Sequence, residues 1–310
     1  MDFFAGTWSR IAAIAGVVSV LLYFTPALQF LQWIARSFQK ALRRWRAKPR
    51  IRCVTRYKDK RLLDALDLYQ RLLPEQEQDA AHDIVRWFQE IEAETKRGVC
   101  ELKDYFLVAV LGGRVLALLY FHYYPEAQLL FVSCLAADEN NKEVVRRHVT
   151  DQLANSARQK LKKDEKHLDG LVAEVHDPRR AKSQRERRSA EARIKRFKTI
   201  AQRLRVSLRE LDMPYTQPRA SLADPAAKET PMLLLYGRVG QKQLESFIEK
   251  SEGERVLRFI YETVYADQFA HDPDEDRRYR EYLQGLLGDQ LTLLPDQIPT
   301  SLTERRPHSA

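Results

Sequence analysis

Two side chains that can accept a proton, the carboxylate of Glu174 and the imidazole of His176, stand at the end of the apolar stretch Leu168–Val175. Either group can serve as a general base, directly or through a water molecule. The plainer interpretations are a solvated or ion-paired glutamate at a strand end and a histidine on the surface. The chemistry at this point therefore depends on the elements that surround the two residues.

Patterns of several other catalytic classes are absent from the sequence. It has no GxxxxGK[ST], GxGxxG, GxSxG or HExxH motif, so phosphate-binding loops, dinucleotide loops, hydrolase nucleophile elbows and zinc-protease helices are not predicted. The seven histidines are not grouped at metal-ligand spacing. The three cysteines lie far apart without a CxxC pair, which argues against a disulfide framework and a zinc ribbon. No metal site is predicted.

Three apolar segments predict an antiparallel meander. Tyr105–Leu111 and Val115–Tyr124 flank the two-residue turn Gly112-Gly113, and Gln128–Ala136 follows a second turn. Strands this apolar are usually covered on both faces. The aromatic run Tyr120–Tyr124 is interpreted as core, with lining of an acceptor pocket as the alternative.

Alternating helical and strand patterns occupy the remaining sequence after residue 50. They predict, in order, a strand at Ile51–Thr55, two helices between Leu62 and Arg97, the meander, a helix at Lys142–Lys163, the strand Leu168–Val175, a helix at Ala190–Leu204, and strands at Ser207–Met213 and Met232–Val239. Two helices are expected after that, Gln243–Phe269 with a break near Gly253 and Asp276–Leu287. The tail beyond Gly288 is expected to be loose.

The N-terminal segment Ile11–Ala35 carries no charge and would span about 37 Å as a helix, which is enough to cross a bilayer. A cleaved signal peptide and a buried core helix are the alternatives. The positive charges follow the segment and place the bulk of the chain on the cytoplasmic side: Arg36, Lys40, Arg43, Arg44, Arg46, Lys48, Arg50 and Arg52. An apolar stripe beside these charges suits contact with anionic lipid headgroups.

A second basic run, Arg179–Arg205, has three interpretations. It is a solvated helix face, or it contacts the anionic leaflet, or it binds nucleic acid. The third is disfavoured because only Phe197 is available for stacking.

The order of elements from Arg50 to Val239 resembles the GNAT superfamily of acyl-CoA N-acyltransferases. Two local motifs support the resemblance: Val172-Ala173-Glu174-Val175-His176-Asp177-Pro178, and Tyr215-Thr216-Gln217-Pro218 ahead of an apolar strand. The resemblance implies a mixed-sheet α/β fold over residues 50–240. Residues 1–49 are then an anchor with a basic juxtamembrane helix, and residues 241–310 are a helical extension.

The resemblance also implies a co-substrate site for acetyl-CoA or another acyl-CoA. Pantetheine would lie along the backbone of Cys134, Leu135 and Ala136, and the pyrophosphate would lie at the start of the next helix, at Asn141, Lys142 and Val144. Glu174, His176 and Tyr215 would form the catalytic group, with Arg193 and Gln217 near the amine acceptor.

Two departures from the family pattern leave a second function open. The family's phosphate loop is glycine-rich, but this sequence has no glycine between Gly113 and Gly170, and acidic residues flank Lys142. The tyrosine that often protonates the CoA thiolate is missing from Arg193–Val206. The leading hypothesis is a membrane-anchored N-acyltransferase, and the alternative is a non-catalytic module that binds a partner or ligand at the membrane.

Topology yields the first testable prediction. Of two reporters fused to the C-terminus, the one that functions only in the cytoplasm should be active and the one that functions only after export should be inactive. The reason is that the basic flank is retained on the cytoplasmic side. Replacing the basic residues between Arg36 and Arg46 by Gln should produce a mixture of orientations, whereas Gln replacements within Arg179–Arg205 should not. Export of the C-terminal reporter in the unmodified chain would contradict the prediction.

Overall fold

The computed structural model describes residues 48–72, 81–97, 104–138, 148–164, 166–219, 228–240, 246–268 and 273–301, with Trp33, Asn141, Val144 and Leu222. Residues 1–48 form one unit and residues 49–310 a second, compact one. The expected membrane segment lies outside the described residues except for Trp33. In the part that is described, no helix combines the length and apolar character needed to cross a bilayer.

The described elements follow the predicted alternation closely. The strands are β1 (Arg50–Val54), β2 (Asp104–Leu111), β3 (Arg114–Tyr124), β4 (Leu129–Ala137), β5 (Gly170–His176), β6 (Arg209–Leu211), β7 (Thr216–Gln217), β8 (Thr230–Arg238), β9 (Phe247–Glu249) and β10 (Gln297–Ser301). The longer helices are α1 (Lys60–Leu72), α2 (Ala81–Arg97), α3 (Val149–Lys163), α4 (Gln184–Leu204), α5 (Lys250–Arg258) and α6 (Pro273–Thr292).

One mixed sheet joins these strands in the order β1-β2-β3-β4-β5-β8-β6-β10-β9, with β7 paired to β8. The predicted meander of β2, β3 and β4 is confirmed, and all its ladders are antiparallel. The predicted parallel pairing of β5 with β4 is also confirmed. A mixed α/β architecture is therefore present.

Helices cover both faces of the sheet. On one face, α3 and α4 pack against alternate residues of β4 and β5, with Ala173 and Val175 in the same core as Phe197. On the other face, α1 and α2 pack against β2 and β3, around Phe106 and Tyr120. A third core on this second face joins Val172 to the helices after residue 250. The aromatic run of β3 is buried throughout, as its interpretation as core requires.

The segment after residue 240 differs from its sequence-based prediction. The expected break near Gly253 is absent, because Gly253 lies inside α5, where the missing side chain admits Ile298: a Cβ at this position would lie 2.1 Å from the Ile298 Cδ1 atom. The tail expected to be loose instead contains β10, which pairs with β6 and β9. The C-terminal segment thus contributes two strands to the same sheet, together with its helices.

Two helices on the first face begin at different residues from those predicted. Helix α4 starts at Gln184 because the Ser183 hydroxyl accepts a hydrogen bond from the Glu186 backbone at 3.2 Å, an N-cap that holds the charged first turns in the helix. Val144 is helical, but His148 in the left-handed conformation separates it from α3, which starts at Val149.

Close backbone packing at Gly237 gives a stability prediction. A Cβ there would lie 2.3 Å from the Ser207 carbonyl oxygen. Gly237→Ala should therefore lower the free energy of unfolding by roughly 1–3 kcal/mol, the usual cost of overpacking. Thermal unfolding followed by circular dichroism measures the change.

Gly285→Ala is the matched control for that measurement. Gly285 lies within α6 with no atom within 4 Å of the added Cβ, so alanine should stabilise the helix by up to about 1 kcal/mol. Equal effects of the two substitutions would contradict the packing argument.

Candidate functional site

Strands β4 and β5 diverge halfway along their length. Their parallel ladder runs from Leu129↔Gly170 to Val132↔Ala173 and ends there. Beyond it, β4 continues beside β3, while β5 continues beside β8. The segment Cys134–Ala136 therefore has no ladder partner on its β5 side.

A β-bulge in β4 coincides with the point of divergence. Phe121 of β3 lies opposite Val132 and Tyr120 lies opposite Cys134, so that Ser133 is the extra residue. A bulge bends its strand and increases the local twist. This irregularity gives a physical cause for β4 turning away from β5 immediately after Val132.

Solvent does not reach the diverging segment of β4. Cys134, Leu135 and Ala136 are 4%, 2% and 1% exposed, backbone included. An acyl-CoA molecule that pairs with this backbone must therefore displace the atoms that cover it. These strand positions have no ladder partner on β5, and other atoms of the protein cover them.

Glu174 is the first residue of β5 beyond the ladder with β4. Alternation places its side chain on the face of Val172, away from Ala173 and Val175. Two tyrosine hydroxyls donate hydrogen bonds to its carboxylate, Tyr215 to Oε1 and Tyr265 to Oε2, the latter at 2.7 Å. Glu174 is thus a half-buried anion held by neutral donors from two distant segments.

The hydroxyl groups around this carboxylate are kept protonated by their surroundings. Burial raises the pKa of Tyr215 and of Tyr265 well above the ordinary value, and the negative charge of Glu174 raises both further. Tyr261 also has a raised pKa, mainly from burial, and its hydroxyl donates to the Thr216 carbonyl oxygen. The cluster can orient a carboxylate but does not carry a second negative charge.

Tyr261 and Tyr265 come from a seven-residue π-helix, Phe259–Tyr265, which follows α5. Such segments are rare and occur frequently at functional sites. Sequence reasoning identified Tyr215 but missed Tyr265, which is 91 residues from Glu174. No local motif joins the two, because the contact depends on how the C-terminal helices dock on the sheet.

The remaining predicted catalytic and acceptor residues lie in different places. His176 is half-buried two residues beyond Glu174, opposite Met232 of β8. Gln217 hydrogen-bonds with Tyr265, which links it to the Glu174 cluster. Arg193 belongs to the buried side of α4, the helix layer on the opposite face of the sheet, where burial and then Arg196 lower its pKa to about 10.

The predicted pyrophosphate-binding segment is only partly described, and Lys142 lies outside the described residues. Asn141 lies in a bend and Val144 is helical, with the Val144 N–H donating to the Asn141 carbonyl oxygen at 2.8 Å. Val144 is buried in the core beneath α3. The first turn of α3 contains Asp151, which is paired with Arg203 at 2.9 Å. An acidic residue at a helix start competes with a bound anion.

Comparisons with known proteins give structural matches only. No protein-family model matches the chain, and no curated protein sequence does. A putative acetyltransferase from the GNAT family of Bacteroides thetaiotaomicron is 16% identical over 70% of this chain and 98% of its own, with a TM-score of 0.43.

Two further solved structures are similar at lower scores. A Bacillus subtilis acetyltransferase in complex with CoA is 16% identical over 62% of this chain and 99% of its own, with a TM-score of 0.35. The aminoglycoside 6'-acetyltransferase type Ii is 9% identical over 63% of this chain and 99% of its own, with a TM-score of 0.37. These values carry no argument about activity, which depends on the site itself.

The donors around Glu174 yield a stability prediction. Tyr265→Phe removes one hydroxyl from a carboxylate and should lower the free energy of unfolding by about 1.5–3 kcal/mol, the range for hydrogen bonds to charged groups. Chemical denaturation at neutral pH measures the loss. Tyr282→Phe is the control, because its 3.1 Å contact with Glu229 is exposed and should contribute much less. A larger loss in the control would contradict the assignment.

Proposed function

We propose that this chain transfers an acyl group from acyl-CoA to an amine. The observation that carries the proposal is the position of Glu174, a tyrosine-held carboxylate on β5 just past the point where β4 and β5 separate. Its place beside the segment of β4 that has left the ladder with β5 fits the arrangement implied by the sequence resemblance to GNAT acyltransferases.

Acyl-CoA would enter as a strand-like ligand. Its pantetheine amides would pair with the backbone of Cys134–Ala136, and one N–H of this segment would donate to the thioester oxygen as negative charge develops on it. Because Cys134–Ala136 are buried, acyl-CoA can bind only if the atoms that cover this segment move aside. The phosphates would lie towards Asn141 and Lys142, where Lys142 supplies a cation between Asn141 and Glu143.

Glu174 would remove the first proton from the acceptor. An alkylammonium has a pKa near 10.4 and does not attack a thioester until it is deprotonated. The carboxylate attracts the cation and accepts its proton, while Tyr215 and Tyr265 hold the two oxygens in place. Gln217 would orient the acceptor through its contact with Tyr265. Arg193 has no place in this arrangement, since α4 covers the opposite face of the sheet.

We further propose that the domain works at the cytoplasmic face of a membrane. The uncharged stretch Ile11–Ala35 and the basic residues after it support this placement. The exposed basic side chains of α4, Arg185, Arg188 and Lys195 among them, would face anionic headgroups.

A non-catalytic binding module is the second candidate function. The closed backbone of Cys134–Ala136 favours it, because a transferase must admit its co-substrate there. The glycine-free segment before α3 favours it as well. In this case the tyrosine-held Glu174 would serve the packing of the C-terminal helices.

Acetyl-CoA titration of the full chain in detergent micelles separates the two candidates. The transferase should bind acetyl-CoA and release thiol when primary amines are added. Glu174→Gln should lower kcat by roughly 10²- to 10⁴-fold with little change in acetyl-CoA affinity, because only the proton acceptor is removed. Isothermal calorimetry measures the affinity and a thiol reagent measures turnover.

Two further variants are measured in the same way. Glu281→Gln, on the exposed side of α6, should leave both quantities unchanged. Lys142→Ala should weaken acetyl-CoA binding rather than turnover of the bound complex. Absence of acetyl-CoA binding at millimolar concentration would reject the transferase and leave the binding module.

A further inference from the structure

A carboxylate–imidazole pair lies on the same face of the sheet as Glu174. His122 of β3 and Asp104 of β2 are directly opposite in the antiparallel ladder, and the His122 Nδ1 atom contacts the Asp104 Oδ1 atom. A carboxylate only accepts hydrogen bonds, so Nδ1 donates and carries the proton. In the neutral imidazole, the Nε2 atom then has the lone pair.

The Nε2 atom of His122 has no hydrogen-bond partner among the described residues, although its side chain is buried with a relative exposure of 8%. Aromatic rings surround the imidazole, with centroid separations of 4.5 Å to Tyr120, 6.3 Å to Tyr124 and 6.4 Å to Phe131. A buried nitrogen without a partner is uncommon in folded proteins and points to a ligand or another polar group that completes it.

The register places the backbone of His122 two strands away from the site already described. His122 is opposite Phe131 of β4, and Phe131 is opposite Val172 of β5, two residues before Glu174. The Cα atoms of His122 and Glu174 are therefore about 12 Å apart, from two strand spacings and one two-residue step. The bulge residue Ser133 lies on β4 between them, and its Oγ atom also lacks a described partner.

We infer that His122, oriented by Asp104, is a second proton-transfer residue of the acyl-transfer site. This inference rests on the proposed function. It assigns a role to a polar pair that the Glu174 cluster does not use. It also supplies the proton donor for the thiolate that the sequence lacks in α4. Because the rings of Tyr120, Tyr124 and Phe131 close over the imidazole, one of them must turn aside when the acceptor enters.

Amide formation from an ammonium requires the loss of two protons from nitrogen. Glu174 takes the first, and the neutral amine then attacks the thioester carbon, forming the C–N bond as the carbonyl π electrons move to oxygen. The nitrogen is now cationic, and Nε2 of His122 takes its second proton. The imidazolium is stabilised by the Asp104 carboxylate.

The same proton completes the reaction. The electron pair on oxygen re-forms the carbonyl, the C–S bond breaks, and its electrons leave on sulfur as a thiolate. Nε2–H of His122 returns the proton to that sulfur, so that the products are the amide and the CoA thiol. The imidazole is neutral again, and Glu174 loses its proton to solvent.

Two substitutions of His122 separate proton transfer from packing. Asparagine places an amide near the position of Nδ1, which keeps a donor to Asp104 but removes Nε2. Glutamine places its amide near Nε2, where it cannot accept a proton. Thiol release from acetyl-CoA is measured in the full chain with a panel of primary amines: lysine, spermidine and a tripeptide with a free amino terminus.

Both variants should lose roughly 10²- to 10⁴-fold in kcat, the usual contribution of general acid–base catalysis, with acetyl-CoA affinity unchanged. His122→Asn should also keep a melting temperature close to that of the wild type. His167→Asn is the matched control, because His167 forms an exposed pair with Asp169 at 3.1 Å and should retain full turnover.

Wild-type turnover in His122→Asn, or a loss that only follows a lower melting temperature in both variants, would overturn the role of His122 and leave the transferase proposal intact. A wild-type chain that releases no thiol with any amine would overturn both proposals. The two failures are therefore distinguishable by the wild-type measurement alone.

Discussion

The carboxylate of Glu174 imposes the strongest local constraint on the C-terminal half of the chain. Its nearest neighbours on the sheet face are largely apolar, and a charge in such surroundings must be hydrogen-bonded to be tolerated. Tyr215 from the loop after β6 and Tyr265 from the π-helix provide the donors. The C-terminal helices therefore dock on the sheet in a position that satisfies this anion, and their apolar side chains form the third core around it.

This constraint reconciles two features that point to different functions. A carboxylate held by neutral donors keeps its position, which suits the capture of an ammonium ion. The same donors also join the helices to the sheet, which suits a purely structural role. The diverging strands favour the capture of an ammonium ion. A purely structural role for Glu174 does not require β4 to leave β5 immediately beside it. The pair of buried His122 and partly exposed Asp104 on the same face adds polar groups that packing alone does not explain.

Much of the sheet could be predicted from local patterns, because the meander has long apolar strands and a Gly112-Gly113 turn that fixes its register. That turn alone would place Asp104 opposite Phe121, and a register shift between Ala109 and Val110 brings it opposite His122 instead, so this pair could not be predicted from the turn. Strands β9 and β10 could not be predicted, since three and five residues carry too little alternation and their conformation comes from pairing with each other and with β6. The contact of Tyr265 with Glu174 was likewise hidden, because it depends on tertiary docking.

The position of β10 in the sheet has a consequence for the order of folding during synthesis. Leu211 of β6 pairs with Thr300 of β10, a residue translated about 90 positions later (from 211 to 300). At the usual rates of translation, β6 waits roughly 5–20 s for this neighbour. During that time its edge presents unpaired backbone groups, which can recruit strands from other nascent chains. A chaperone that shields this edge, or slow release of the β6 segment, would therefore favour correct folding of this protein.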